Sequence, residues 1–154
     1  MEQTFVLIKP DAVQRGLVGK ILERLERKGL KLIGAKMIQM DGKILDEHYA
    51  HLRDKPFFAG TKKFMKSAPV IASVWEGKEA VDVVRLVCGV TNSRRAQPGT
   101  VRGDFSISIQ ANVIHASDSM EAAKAEIKRF FKKEELHAYR QSQEAFLYSD
   151  DEKD

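Results

Sequence analysis

A short, almost unbroken apolar run near the N-terminus, Phe5-Val6-Leu7-Ile8, constrains the fold more than any other feature of this sequence. Pro10 follows it and ends the extended pattern. A strand with one exposed face alternates apolar and polar residues, whereas a strand covered on both faces does not. The run therefore predicts a central strand with other elements packed against both sides of its sheet.

Helical and extended patterns alternate along the rest of the chain. Apolar residues recur at helical spacing within residues 18–25 and 80–87, and a glycine follows each segment. Extended apolar runs at residues 30–39 and 70–75 predict a second and a third strand. Residues 41–67, between these two strands, have the pattern of short helices.

The last strong patterns are a fourth strand, Val113-Ile114-His115, and an amphipathic helix whose N-cap is Asp118 or Ser119. The order strand, helix, strand, strand, helix, strand, helix indicates an α+β fold, a ferredoxin-like βαββαβ sandwich. Its four-stranded antiparallel sheet would carry helices on its faces. No repeat or break in composition divides the chain, so we expect a single domain at residues 1–148 and an acidic, mobile tail at residues 149–154.

Charge and cysteine content limit the class of protein. The net charge of +4 and the pI near 9.2 favour anionic partners, which include nucleotides, nucleic acid and acidic surfaces. The single cysteine, Cys88, stands among valines and is predicted to be a small buried core residue. No apolar run approaches the roughly 18 residues of a membrane span, and the N-terminus lacks a signal peptide pattern. We therefore expect a cytoplasmic protein with no membrane partner.

A segment without regular patterns, Gly89 to Ala111, precedes the fourth strand, and long loops of this kind are often functional. Directly after it, His115 leaves the strand at the start of a helix. A neutral imidazole is a nucleophile when a carboxylate or hydroxyl fixes its tautomer, and Glu126, about two turns beyond Asp118, can supply that carboxylate. The alternative is a strand-end histidine with Asp118 and Ser119 acting only as helix caps. In isolation the segment favours this alternative.

Motifs along nearly the whole chain resemble one family. The segment Asn112-Val113-Ile114-His115-Ala116-Ser117-Asp118-Ser119 resembles the signature Asn-x-x-His-Gly-Ser-Asp-Ser of nucleoside diphosphate kinases. Further matches follow in the family's order and spacing: residues 4–11, Gln14-Arg15-Gly16, His48-Tyr49, Pro56-Phe57-Phe58, Arg85, residues 89–92 and residues 98–104. Several motifs in register are much more specific than one.

The resemblance implies an enzyme that moves the γ-phosphoryl group of a nucleoside triphosphate to a nucleoside diphosphate by a ping-pong cycle. His115 would attack the γ-phosphate and carry the phosphoryl group on Nδ1. Ser117 and Glu126 would orient the imidazole, and Tyr49 would stand beside it. Lys9 would reach the sugar hydroxyl or the transferring phosphate.

The resemblance also implies the residues that bind the nucleotide. Phe57 would stack on the base with Ile109 opposite, which tolerates every base and gives broad base specificity. The phosphates and sugar would be held by Arg85, Thr91, Arg102, Lys9 and Asn112. Guanidinium groups offer the paired donors that phosphoryl transfer requires. On the sequence alone, solvated surface is the default interpretation of any arginine, and Phe57 and Phe58 are about equally well explained as core residues.

A metal and an assembly follow from the same resemblance. Mg²⁺ would ride on the nucleotide phosphates, with Asp118 holding it through water. His48 and His51 stand three residues apart on a predicted helix, but we find no third zinc ligand and expect exposed histidines. Family members of this length are generally hexamers and some bacterial ones are tetramers, so we expect a homohexamer.

Several departures from the family pattern bear on activity and assembly. Ala116 replaces a glycine beside the nucleophile, so a backbone angle that glycine usually takes must suit alanine. Thr61 stands where an apolar residue often closes the base cleft, and His51 where a carboxylate is frequent. The unusually basic loop at residues 93–97 lies where subunit contacts are expected.

Two other classes of function were weighed against this one. A nucleic-acid binder of the same fold would show an RNP1-like aromatic strand, but Phe105-Ser106-Ile107-Ser108-Ile109 offers one ring, so nucleic acid is not expected as the main partner. A catalytically silent relative would be expected to lack at least one site residue. The chain retains the whole set: His115, Lys9, Arg85, Thr91, Arg102, Asn112 and Glu126.

Overall fold

The computed structural model describes residues 1–152 and contains one four-stranded antiparallel sheet. Its strands are β1 (Glu2–Ile8), β2 (Lys31–Ile38), β3 (Val70–Gly77) and β4 (Ile114–Ala116). The order across the sheet is β2-β3-β1-β4, and each neighbouring pair is antiparallel. This arrangement confirms the predicted ferredoxin-like fold.

The helices agree with the predicted pattern except at two places. They are α1 (Pro10–Gln14), α2 (Val18–Arg27), α3 (Gly42–His48), α4 (Phe58–Met65), α5 (Ala80–Cys88), α6 (Val101–Phe105) and α7 (Met120–Phe130). The sequence pattern does not predict α1, in which Pro10 takes the first helical position, where a missing N–H costs nothing. Nor does it predict α6, a short helix in segment 89–111, which also contains a 3₁₀ turn at Ser93–Arg95. Thr100 begins α6, and its hydroxyl accepts from Gly103 N.

The side chains of β1 divide the core between the two faces of the sheet. Val6 and Ile8 belong to a buried cluster that includes residues of α2 and α5, whereas Phe5 and Leu7 belong to a second cluster with residues of α3, α4 and α7. All four of these side chains are fully buried. The predicted coverage of β1 on both faces is therefore confirmed, and Cys88 is buried in the first cluster as predicted.

The short edge strand β4 fixes where His115 lies. His115 pairs with Leu7, and Ala116 pairs with Val6 in extended backbone. The change from glycine to Ala116 therefore needs no left-handed backbone angle; within residues 1–152 the non-glycine residues with positive φ are Glu79 and Val113, the latter at 64°. Ser119, rather than Asp118, caps α7 by accepting from Ala122 N at 3.1 Å.

Two further observations concern membrane-spanning helices and the C-terminal segment. Within residues 1–152, every helix is too short or too polar to cross a membrane. Asp150–Glu152 form a 3₁₀ turn, and the remaining part of the predicted acidic tail, residues 153–154, lies outside the described residues.

Candidate active site

A polar cavity of about 250 Å³ brings together most of the predicted site residues. They come from separate elements: the end of β1, α5, α6, the segments before and after β4, and the turn after α3. Its lining includes Lys9, His51, Arg85, Thr91, Arg102, Asn112, His115 and Asp118. Among the described residues, two arginines, one lysine and one carboxylate line the space, which favours a polyanionic ligand such as a phosphate chain.

His115 is held by a carboxylate on its far ring nitrogen. The Nε2 atom of His115 lies 2.8 Å from Oε1 of Glu126, which α7 brings back alongside β4. An ionised carboxylate only accepts hydrogen bonds, so Nε2 carries the proton and donates it. The other nitrogen, Nδ1, therefore keeps its lone pair, and the side chain is a quarter exposed. This is the tautomer that a nucleophilic imidazole needs.

Glu126 is itself fixed by a second donor. The Ser117 hydroxyl donates to Oε2 of Glu126 at 2.5 Å and accepts from Phe5 N at 3.3 Å. Burial opposes ionisation of Glu126, but hydrogen bonds from His115 and Ser117 outweigh it and hold its pKa below the usual value. The structure thus places Ser117, Glu126 and His115 in one chain of hydrogen bonds.

His48 corrects the expectation of exposed histidines at the end of α3. Its ring is buried, and its centroid lies 4.9 Å from that of His115. Burial, with a further contribution from His115, lowers the pKa of His48 to about 3, so the imidazole is neutral. Tyr49 packs against the His48 ring at 4.6 Å and lies 6.5 Å from His51, centroid to centroid. His48 stands three residues after the buried Leu45, and this helical spacing is the sequence signal that His48 faces inward.

The possible metal ligands fall into two groups. One atom each from His48, His115 and Glu126 lie within 4.8 Å of one another. This nitrogen-rich set does not suit Mg²⁺, which prefers oxygen ligands, and the guanidinium of Arg129 lies 3.4 Å from Nδ1 of His48. Asp118 supplies the one carboxylate of the cavity lining and is exposed. A single carboxylate fits a Mg²⁺ ion held mainly by bound phosphates.

Lys9 has the partner that its partial burial requires. Its Nζ donates to Asn112 Oδ1 at 2.6 Å and to Gln110 O at 3.3 Å. Asn112 in turn donates from Nδ2 to Thr91 O at 3.0 Å. Burial, and then the charge of Arg102, lower the pKa of Lys9 to about 8. Lys9 therefore remains a cation at neutral pH, and a nearby phosphate would stabilise that charge.

Arg102 is a buried cation without a carboxylate partner in the part of the chain that the structure describes. Its Nη1 donates to Gly89 O at 2.6 Å and its Nη2 to Ile114 O at 2.7 Å, while Nε has no partner among residues 1–152. Burial lowers the pKa of this guanidinium. Carbonyl oxygens fix its position without neutralising it, so its charge is available to an anion in the cavity.

The two residues expected to hold the base lie outside the cavity lining. Phe57 and Ile109 are 52% and 50% exposed, so the interpretation of Phe57 as core is wrong, whereas Phe58 packs against the core. Gln110 Nε2 donates to Thr61 Oγ1 at 3.4 Å and so joins the segment of Ile109 to α4. Phe57 precedes α4 directly, and both apolar side chains remain free for a ligand.

Comparison with known proteins gives one consistent family. The family model described as nucleoside diphosphate kinase matches residues 2–136. A nucleoside diphosphate kinase of Parabacteroides distasonis is 53% identical over 152 residues, which cover 99% of each chain. Nucleoside diphosphate kinase A of Homo sapiens is 50% identical over 147 residues, covering 96% of this chain and 97% of its own.

A solved structure extends the agreement to three dimensions. The halophilic nucleoside diphosphate kinase of Halobacterium salinarum, in complex with CDP, superposes with a TM-score of 0.94 at 46% identity and covers 96% of this chain and 99% of its own. A family protein from Babesia bovis gives 0.92 at 41% identity, covering 96% and 100%. The sequence similarity extends through every element that builds the cavity. By sequence, by fold and by family model, this chain belongs to the nucleoside diphosphate kinase family.

Proposed function

We propose that this enzyme works by a ping-pong cycle in which His115 carries the phosphoryl group on Nδ1. The observation that supports this most strongly is the 2.8 Å contact between His115 Nε2 and Glu126, because it leaves the lone pair on Nδ1. Lys9, Arg85 and Arg102 line the same cavity as His115. A phosphate chain attracted by these cations would lie next to the nucleophile.

In the first half-reaction the Nδ1 lone pair of His115 attacks the γ-phosphorus of a nucleoside triphosphate. The bond from the γ-phosphorus to the bridging oxygen breaks, and the nucleoside diphosphate leaves with those electrons. The phosphorylated ring becomes cationic, and the anionic Glu126 stabilises it through the Nε2–H hydrogen bond. In the second half-reaction a terminal oxygen of another nucleoside diphosphate attacks the same phosphorus, and the N–P bond breaks.

The cations of the cavity position and stabilise the transferring group. Arg102 still has its Nε–H and the second hydrogen of each terminal nitrogen after binding two carbonyls, so we assign it to the phosphates together with Arg85 and Thr91. Lys9 and Asn112 hold the sugar hydroxyl or the transferring phosphate. We assign Tyr49 to the catalytic centre as well, where it packs against the ring of His48.

The cofactor we propose is Mg²⁺ bound to the nucleotide, with Asp118 holding it through water. When bound, it neutralises charge on the β- and γ-phosphates during transfer. Asp118 is exposed at the cavity wall, and its carboxylate is a suitable hard ligand.

Broad base specificity follows from the exposed pair Phe57 and Ile109. An aromatic face stacks on every base, and both side chains are about half exposed and so accessible to a base. The relative from Halobacterium salinarum was solved with CDP, a pyrimidine nucleotide, which supports binding of pyrimidine nucleotides here.

We further propose a cytoplasmic homohexamer, with a tetramer as the alternative, and no main role in nucleic-acid binding. Residues 1–148 would form the catalytic domain and residues 149–154 its acidic tail. The exposed apolar side chains of Leu86 and Val90 support an assembly. Light scattering coupled to gel filtration distinguishes six, four and one chains by mass.

Two-substrate kinetics test the proposed cycle. Double-reciprocal plots of rate against ATP at several fixed concentrations of GDP should be parallel, and CDP and UDP should also serve as acceptors. His115→Gln should abolish turnover, whereas His137→Gln, a matched change of an exposed histidine, should not. Intersecting lines would contradict the ping-pong cycle. Nucleotide binding without turnover would favour the silent relative.

A further inference from the structure

His48 stands between two oppositely charged side chains of α7. Its Nδ1 lies 3.7 Å from Oε1 of Glu126 and 3.4 Å from Nη1 of Arg129. Glu126 and Arg129 are three residues apart on a helix, a spacing at which an acid and a base normally pair. Nevertheless, no ion pair joins them in the part of the chain that the structure describes. The imidazole occupies the position between them.

The surroundings of His48 define its tautomer. A guanidinium only donates hydrogen bonds, so the 3.4 Å contact with Arg129 is a hydrogen bond in the tautomer that leaves Nδ1 unprotonated and places the ring proton on Nε2, which has no partner among residues 1–152. Burial, with contributions from His115 and Arg129, holds the pKa of His48 at about 3, and only Glu126 opposes this. The rings of Phe5, Tyr49, His115 and Phe130 enclose the imidazole. His48 is therefore a neutral acceptor in a fixed orientation.

We propose that His48 is a positioning residue, which keeps Arg129 away from Glu126 by accepting its hydrogen bond and so reserves Glu126 for His115. This inference rests on the proposed role of His115 as the phosphoryl carrier. Glu126 already accepts from His115 and from Ser117. A third, cationic donor would draw the carboxylate charge away from the imidazole during phosphoryl transfer.

Loss of His48 should therefore change the chemical step more than nucleotide binding. Without the imidazole, the guanidinium of Arg129 can turn towards Glu126 and pair with it. The bond that orients His115 weakens, and the cationic phosphohistidine loses stabilisation. None of His48, Glu126 and Arg129 lines the nucleotide cavity, so KM should stay near its original value.

The test is a double-mutant cycle on the rate of phosphoenzyme formation. His48→Phe removes the acceptor but keeps a ring, and His48→Asn is the matched control, because its Oδ1 lies close to the position of Nδ1. Each is made in the original chain and with Arg129→Gln. We expect His48→Phe to lose about tenfold in the original chain and only about twofold with Arg129→Gln, since contacting residues couple. His48→Asn should lose at most about threefold in the original chain.

An equal loss in both backgrounds, or no loss for His48→Phe, would overturn the inference. If His48→Phe does not fold, ¹⁵N NMR of the unmodified protein decides instead. The Nε2–H tautomer of His48 supports the inference, and the Nδ1–H tautomer overturns it, since that form cannot accept from Arg129. Failure of the original chain to form any phosphoenzyme would refute the proposed function, a result distinct from these.

Discussion

Replacing Glu126 by glutamine separates the charge of this carboxylate from its geometry. The glutamine oxygen can still accept from His115 Nε2–H, and its amide can donate to the Ser117 hydroxyl. That hydroxyl can then donate to Phe5 O, which already lies 3.4 Å away. The hydrogen-bond network can therefore be rebuilt, and what is lost is the negative charge opposite the phosphohistidine.

The size of the effect follows from the type of hydrogen bond. A hydrogen bond to a charged group contributes about 1.5–3 kcal/mol and a neutral one about 0.5–1.5 kcal/mol, so the change costs about 1.25 kcal/mol. This corresponds to about a tenfold lower rate of phosphoenzyme formation. Glu126→Ala also removes the acceptor that selects the tautomer, and we expect about 100-fold.

Rapid-quench measurement of phosphoenzyme formation, together with Tm, tests this reasoning. We expect Glu126→Gln to retain the original Tm within a few degrees, because a buried charge is removed and its hydrogen bonds are replaced. Ser67→Ala, a change of an exposed serine that is distant in sequence from Glu126, controls for nonspecific effects. An unchanged rate in Glu126→Gln, or a faster rate in Glu126→Ala than in Glu126→Gln, would refute the assigned role of the carboxylate.

Three further predictions concern pH and the base. Because the pKa of Lys9 is lowered to about 8, its charge is present below that pH and lost above it, so KM for ATP should rise between pH 7.5 and about 9.5; a flat profile would contradict this. For His48, with its pKa lowered to about 3, the unfolded chain binds a proton below about pH 6.5 and the folded chain does not. The free energy of unfolding, measured by denaturant titration, should therefore fall by about 1.4 kcal/mol per pH unit as the pH drops below about 6.5. In His48→Asn this dependence of the free energy of unfolding on pH should be smaller. Finally, Ile109→Ala and Phe57→Ala should each raise KM for purine and pyrimidine nucleotides about tenfold, whereas Ile107→Ala, in the same loop, should not; selective loss for one base class would argue against stacking alone.

Patterns that depend on neighbouring residues were enough to predict the sheet. The apolar run of β1 requires cover on both faces, and Val6 and Phe5 lie in separate core clusters on these faces. Lys9 ends an apolar strand just before Pro10, which predicts that it is partly buried and has a partner, and Asn112 Oδ1 lies 2.6 Å from its Nζ. In both cases the feature is predicted from adjacent residues or from one residue that cannot be buried without a partner.

Features that depend on distant contacts left no comparable signal. Helical spacing from Leu45 indicates that His48 faces inward, but its position beside His115 depends on contacts with Phe130 and Arg129 of α7, which are distant in sequence. Arg102 donates to the backbone carbonyls of Gly89 and Ile114, and because every residue has a backbone carbonyl, the sequence does not identify these partners. The exposure of Phe57 could not be predicted either, because two adjacent aromatic residues in a sequence have the pattern of core residues whether or not they are buried.

Isolation of the phosphorylated intermediate shows whether His115 carries the phosphoryl group. The protein is mixed with γ-labelled ATP and Mg²⁺, examined for acid-labile label, and then chased with unlabelled GDP, with His115→Ala and His137→Ala in parallel. We expect label to appear on the original chain and on His137→Ala, to leave as GTP, and to be absent from His115→Ala. Label that persists in His115→Ala, or that stays on the protein after GDP is added, would contradict this role of His115.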